Sequence, residues 1–516
     1  MDTSMTKGIH YVGYPLIRPI LTNAALSNAA STSNTGDNEV LRILYQHSPW
    51  WLNKPISQTK LKPFKRRDYF KILPRLEDNK ILALVGPRQV GKTTIVYQLI
   101  DKLLVDGVEP QKIFFASLDD PYLNVTLKNW AKVFDLYSTT ILKEPLNELT
   151  GRIYLFLDEI QTLKNWESVL KRWYDLGYDM KFVVTGSSSM GINEGASEAL
   201  VGRINLQIVF PMKFLEYVQF KEDGIAESIK SRNKQMRLGL RSALMEGRPE
   251  AFYEVVSEQA NALSPYKDRI LVHFNNYLIK GGYPDIANKD DLVEASQYLK
   301  NYLHLTMYKD IVLTRKVRDP VALESLFAIV AKNSSQILNR EQLGQQLGIK
   351  RDTLNTYIYL LKSAFLVSES EFFSESRIKR ARRERKIFVN DIGIRNVSSS
   401  LFDESILANT SEMGRMIETV VADHTRRLRF NLEATPFPPL FYWREKYEVD
   451  FIIDPFGKVL PIEVKYREDV SDADLEGLKE FSKKFAPPLS IVVTKNQLSL
   501  KGTTVYIPVW LYLLLC

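Results

Sequence analysis

Ile81-Leu-Ala-Leu-Val-Gly86-Pro87-Arg88-Gln89-Val90-Gly91-Lys92-Thr93-Thr94 is the stretch that decides the fold. An apolar run enters a Gly-x4-Gly-Lys-Thr turn, and Ile95, Leu99 and Ile100 follow at helical spacing. That order is strand, loop, helix, the context in which a phosphate-binding P-loop is credible. Gly86 and Gly91 let the backbone curl so that its N–H groups face inward, and the helix opening near Lys92 aims its positive end at the same place. The pattern predicts that residues Gly86 to Thr94 cradle a nucleotide, with Lys92 reaching its β- and γ-phosphates and the Thr93 hydroxyl ligating Mg²⁺.

Around this stretch, 516 residues suggest three or four domains, each able to bury a core. Apolar content of 45% and charged content of 25% are ordinary for a globular chain, and a net charge of +8 permits contact with nucleic acid without requiring it. One cysteine, Cys516, excludes a disulfide framework and a cysteine metal cluster, and the scattered His10, His47, His273, His304 and His424 argue against a histidine zinc site. Apolar runs fall short of the ~18 residues that span a bilayer. Residues 1–30 lack the order of a signal peptide, so the expectation is a cytoplasmic protein with no membrane partner.

Residues 1–38 include the small, polar segment 22–38 and read as a disordered or low-complexity tail, with order starting at Glu39. The basic stretch Lys60–Arg67 either lines the rim of the nucleotide or is a solvated face. Further along, Lys112–Asp119 is a second strand, and Arg152-Ile-Tyr-Leu-Phe-Leu-Asp158-Glu159 a third. An apolar strand ending in Asp-Glu is how P-loop ATPases complete their site: Asp158 would hold the Mg²⁺ shell and Glu159 would orient and deprotonate the attacking water. A fourth strand, Lys181–Ser189, ends in hydroxyls; Thr185 and Ser187 either sense the γ-phosphate or belong to a plain serine-rich turn. Alternating strands and helices predict an α/β, parallel, doubly wound sheet with its ligand at the strand C-termini.

Taken with Asn165-Trp166-Glu167, Leu200-Val-Gly-Arg203 and Phe210-Pro-Met-Lys-Phe214-Leu-Glu216, these motifs resemble the archaeal and bacterial AAA-type ATPases that carry a restriction-endonuclease-like C-terminal domain, over roughly residues 40–516. By that resemblance Arg203 matches an arginine that stabilises γ-phosphate charge in cis or from a neighbouring subunit, the alternative being a structural ion pair; a homo-oligomer is then possible. Gly281-Gly-Tyr-Pro284 also matches, and Tyr308-Lys-Asp310-Ile falls where the family often has Arg-Asp-Ile.

From residue 320 three helical patterns, the second opened by Asn339-Arg-Glu-Gln342 and closed by Gly348, precede an alternating strand, Phe365–Phe373. Three helices and a ribbon predict a winged helix-turn-helix. If it reads DNA, Lys350, Arg351, Thr353 and Asn355 open its recognition helix; such units also serve as spacers or protein-docking modules. Seven of the ten residues Arg377–Lys386 are basic, among them Arg380, Arg382, Arg383 and Arg385, which is the pattern of a phosphate-backbone contact or of a solvated face.

At the end of the chain, Tyr447–Ile453 and Val459–Tyr466 flank the turn Asp-Pro-Phe-Gly-Lys. A loop centred between Phe456 and Gly457 sets Ile453 opposite Leu460, Asp450 opposite Glu463 and Glu448 opposite Lys465. Asp450, Glu463 and Lys465, with Glu418 on an upstream helix, form the PD-(D/E)xK pattern, in which the carboxylates hold a second Mg²⁺; the bland alternative is a hairpin with solvated acids. The expected organisation is therefore a tail (1–38), a P-loop ATPase domain (39–220), a helical lid and connector (221–319), a winged helix (320–376) and an α/β endonuclease-like domain (377–516). The expected function is ATP hydrolysis with Mg²⁺, coupled to branched or duplex DNA; the rival is a signalling or scaffold switch whose C-terminal domains dock proteins.

Overall fold

The structure, a computed structural model, describes residues 35–126, 130–187, 200–433 and 438–516. Most of the expected tail, together with Ser188 and Ser189, lies outside the described residues, while residues 35–38 belong to the helix Thr35–His47.

Five strands form the first sheet: β1 (Ile81–Val85), β2 (Ile113–Ser117), β3 (Ile153–Asp158), β4 (Met180–Gly186) and β5 (Ile204–Ile208). All pairings are parallel and the order is β2-β3-β4-β1-β5. Every side chain of β1 is fully buried, which is why its sequence is a continuous apolar run rather than an alternating one. Because β3, β4 and β1 are neighbours, Asp158, Gly186 and Gly86 leave the sheet side by side at its C-terminal edge. The fifth strand follows Arg203 and is not among those expected: Ile204-Asn-Leu-Gln-Ile is short and only half buried, so its local signal is weak.

The second sheet has eight strands in the order β12-β13-β11-β10-β9-β8-β6-β7, where β6 is Val367–Phe372, β7 Lys386–Val389, β8 Leu440–Arg444, β9 Glu448–Ile453, β10 Leu460–Lys465, β11 Ser490–Thr494, β12 Ser499–Lys501 and β13 Thr504–Pro508. Helices Pro320–Lys332, Arg340–Leu347 and Arg351–Ser363 precede the antiparallel β6–β7 hairpin. Asn339 caps the second of them by accepting from the Gln342 N–H, and Gly348 ends it in a left-handed conformation. The hairpin does not stand free. β6 also pairs in parallel with β8, so one sheet runs across the division expected between residues 376 and 377.

The cores do not follow chain order. Helices Phe214–Lys221, Asp223–Glu246, Pro249–Leu263 and Lys267–Lys280 share a core with β9, β10, β11, β13 and the helix Thr410–Glu433. Tyr283 to Leu361, apart from Ala287 and Leu292, instead joins the core of the nucleotide sheet. Most of the helical segment after residue 220 thus packs on the C-terminal unit.

Candidate nucleotide site and C-terminal carboxylate cluster

Gly86 ends β1 so close to β5 that a Cβ on it would lie 2.0 Å from the Val209 carbonyl oxygen, and Gly91 holds φ at 94°. Neither position admits a side chain without strain. Lys92 opens the helix Lys92–Val105, and its buried ammonium donates to the carbonyls of Gly86 (2.9 Å) and Pro87 (2.8 Å). Burial pushes its pKa down against the pull of Glu159 and Asp158. With only the loop's own carbonyls as acceptors among the described residues, this cation is matched to an incoming phosphate.

Across the sheet edge the Thr93 hydroxyl donates to both Asp158 oxygens, at 2.9 and 3.2 Å, and Thr185 donates to the same carboxylate. Burial, followed by the neighbouring Glu159, pushes Asp158 up to about 6. A hydroxyl beside a carboxylate is a hard-oxygen pair suited to Mg²⁺. Glu159 adopts a left-handed backbone (φ 54°), fixed by its N–H on Thr185 Oγ1 at 3.1 Å. Gln161 then bridges Glu159 and Ser187, reaching the serine hydroxyl at 3.1 Å. Thr185 therefore supports Asp158 and Glu159, while Ser187 faces the same end of the sheet.

Asp310 is the site residue to which the sequence assigns no role. Its carboxylate takes Arg88 Nε at 2.9 Å and Nη2 at 2.5 Å, and accepts from Ser187 Oγ at 3.0 Å. One side chain from the segment Thr306–Val312 thus ties the phosphate loop to the end of β4. The signal available in the sequence is the triplet around Asp310, which carries a resemblance and nothing more.

Beside the loop, Gln89 and Thr94 share a cavity with Phe64, Gln98, Phe220 and Asp285. Phe64 and Phe220 meet edge to face at 5.1 Å. Lys62 and Arg66 also line this cavity, while Lys60 and Lys65 are exposed; Arg66 Nη1 donates to the Val90 carbonyl at 2.7 Å.

Arg203 is elsewhere. It precedes β5 beside Ile81, and its Nε pairs with Asp175 at 2.8 Å. The length of β1, five residues or about 16 Å, separates it from the phosphate loop. A role on the γ-phosphate in cis is corrected by this placement, because parallel strands put Arg203 at the opposite edge of the sheet.

In the second sheet β9 and β10 pair with Ile453 opposite Leu460 and Phe451 opposite Ile462, as the turn predicts, and the paired register ends there, next to Asp450 and Glu463. Asp450 Oδ2 accepts from the Val464 N–H at 2.9 Å, and Glu463 Oε2 from the Asp450 N–H at 3.3 Å. Lys465 Nζ lies 2.5 Å from Glu463. The expected partner of Glu448 is corrected: its carboxylate takes buried Lys386, which also lies 3.5 Å from Asp450. Burial, then Asp450, raises Glu463 to about 8 and Glu418 to about 7. The crowding of carboxyls around Asp450 and Glu463 is offset by Lys386 and Lys465 and by the raised Glu418 and Glu463. Among the described residues no group of three or more His, Cys, Asp or Glu side chains is placed to hold a metal ion. As it stands, this cluster does not fit a second Mg²⁺.

The residues expected to meet DNA divide in two. Lys350, Arg351, Arg382 and Arg383 are exposed. Asn355 accepts from Arg340 at 2.6 Å, and Arg385 pairs with Glu369 at 2.9 Å and Glu371 at 3.2 Å. Arg340 and Lys362 also converge on Glu369, whose pKa they hold down against burial. Arg380 is half-buried over the Phe441 ring. Among the described residues no helix is long and apolar enough to cross a membrane.

Residues 78–218 match an AAA domain family, and residues 271–405 and 413–512 match two domains of unknown function, DUF8612 and DUF4143. The chain is 25% identical over 430 residues to an uncharacterized protein of Methanocaldococcus jannaschii, covering 82% of each. It is 24% identical over 421 residues to one of Mycobacterium tuberculosis, covering 80% of this chain and 77% of that one. A Walker-type ATPase of Pyrococcus abyssi aligns at 16% identity and TM-score 0.37, covering 65% of this chain and 95% of that one. The domain match, with the parallel five-stranded sheet and its phosphate loop, supports an AAA-type ATPase with a P-loop nucleotide domain.

Proposed function

We propose that the chain binds ATP at Gly86–Thr94 and hydrolyses it. The observation that carries this is the Thr93–Asp158 contact at 2.9 Å with Lys92 and Glu159 alongside, because it assembles a phosphate cation, a hard metal pair and a base at one sheet edge. Thr93 and Asp158 would hold Mg²⁺, which neutralises phosphate charge when bound. Lys92 binds the terminal phosphates, and Glu159, held by Thr185 and Gln161, orients water and takes its proton. Phe64 and Phe220 give the base an apolar wall. Arg203, exposed enough to exchange Asp175 for another anion, serves a neighbouring copy if the chain assembles.

Turnover is coupled to DNA through residues 320–376, as a winged helix, and residues 377–516, as a nuclease-like unit that holds DNA without cutting it. Exposed Lys350, Arg351, Arg382 and Arg383 support the contact, and the shared sheet of β6 and β8 would move the two units together. The rival reading, a switch that docks proteins, draws support from Asn355 and Arg385, whose polar groups are spent inside the protein. The test is the ATPase rate with and without duplex, single-stranded and four-way-junction DNA. Acceleration by one of these is expected; slow hydrolysis indifferent to all three would favour the switch.

A further inference from the structure

Where β5 meets the helix Thr410–Glu433 lies a cavity of about 110 Å³, on the far side of Arg66 from the phosphate loop. Five basic side chains line it, Arg67, Lys71, Lys213, Arg426 and Arg427, with burial driving Lys213 well below its usual range, against three acids, Asp68, Glu216 and Asp423. The acids are already engaged. Glu216 takes Arg66 Nη2 at 2.9 Å and the Arg67 N–H at 3.0 Å; Asp423 takes Arg427 Nε at 2.8 Å; Asp68 takes Gln207 Nε2 at 3.1 Å. Among the described ion pairs, none reaches the side chains of Arg67, Lys71 or Arg426. The Nη2 atom of Arg426 is buried without a hydrogen-bond acceptor. A buried guanidinium nitrogen with no acceptor is a standing cost unless something fills it. Aromatic walls support the cations on two sides: Arg427 lies over Phe210 at 5.0 Å and Lys71 over Phe430 at 5.4 Å.

We infer that this cavity is a second anion site, separate from the nucleotide site, that takes a phosphate group carried by a small molecule. Two guanidinium forks without an ion pair among the described residues, Arg67 and Arg426, with the surface ammonium of Lys71 beside them, match the several oxygens of a phosphate better than a single carboxylate. The volume suits a small anion. Occupancy would be felt at the nucleotide site through one side chain, because Arg66 holds Glu216, in the cavity wall, with one nitrogen and the Val90 carbonyl of the phosphate loop with another. Such coupling is reciprocal: an anion that alters the affinity for ATP has its own affinity altered by ATP.

The full-length chain carrying Lys92→Ala, which silences the phosphate loop, is titrated with inorganic pyrophosphate in the absence of Mg²⁺. One site is expected, weakened tenfold or more by adding Arg426→Gln and less by Arg426→Lys. No binding to Lys92→Ala, or binding that Arg426→Gln leaves unchanged, overturns the assignment. A chain with an intact phosphate loop keeps the test decisive if Lys92→Ala does not fold. There, inorganic phosphate should shift the ATP affinity of the wild type more than that of Arg426→Gln; equal shifts mean competition at the nucleotide site alone and overturn the assignment.

Discussion

Removing Asp310 tests whether the phosphate loop is held by a segment 222 positions further along the chain. Asp310 is 6% exposed and Arg88 22%, and the two make a bidentate pair. Opposite charges about 4 Å apart at an effective dielectric of about 20 attract by about 4 kcal/mol. Truncating one partner of a buried pair costs about 3–5 kcal/mol, since the survivor stays buried. Solvent reaches Arg88, so Asp310→Ala should fall near the lower end, about 3 kcal/mol, and Arg88→Ala somewhat below it. Asp310→Ala also strips Ser187 of its acceptor. The double variant should cost about 2 kcal/mol less than the sum of the singles. Urea unfolding of the full chain, followed by tryptophan fluorescence, reads this directly, because Trp50, Trp51 and Trp166 lie in the core of the nucleotide sheet. Additivity within about 0.5 kcal/mol would mean that the two residues are not coupled, and the latch would be refuted.

Stability of the C-terminal unit should fall as pH rises from 6 to 9. Glu418 and Glu463 have pKa values raised to about 7 and about 8, so their stabilisation is full below the unfolded carboxyl range and is lost as pH climbs through the folded values. Lys386 and Lys465, both raised, stay charged across that window, and Glu463→Gln should flatten the slope in chemical unfolding. Replacing Arg382 and Arg383 with Ala should lower the log–log salt slope of duplex binding by about 0.9 for each phosphate left without its arginine. Arg385→Ala, whose side chain pairs with Glu369 and Glu371, should instead lower the melting temperature and leave the slope unchanged.

The phosphate loop, β1, β3 and β4 were legible because each is a continuous apolar run ending in residues with a chemical task, such as Asp158 and Glu159. The β9–β10 register was legible from its turn, since a short loop fixes which residues face each other. What escaped depends on long-range packing. Nothing local marks Lys386 as different from the basic residues before it, yet it is buried among Glu448 and Asp450. Asp310 meets Arg88 from 222 positions away, and helical periodicity does not say which core the helices from Phe214 to Lys280 will join. Of the roles open to Arg203, the sequence could not choose the ion pair, because a short, half-buried fifth strand carries little signal.

The central claim is that ATP is hydrolysed at the β1–β3 edge with Glu159 as base. Glu159→Gln keeps the size of the side chain and removes its basicity. In a single-turnover assay with Mg²⁺ and radiolabelled ATP, the variant should bind nucleotide as the wild type does and cleave it on the order of 10²-fold more slowly. Wild-type cleavage by Glu159→Gln would contradict the account.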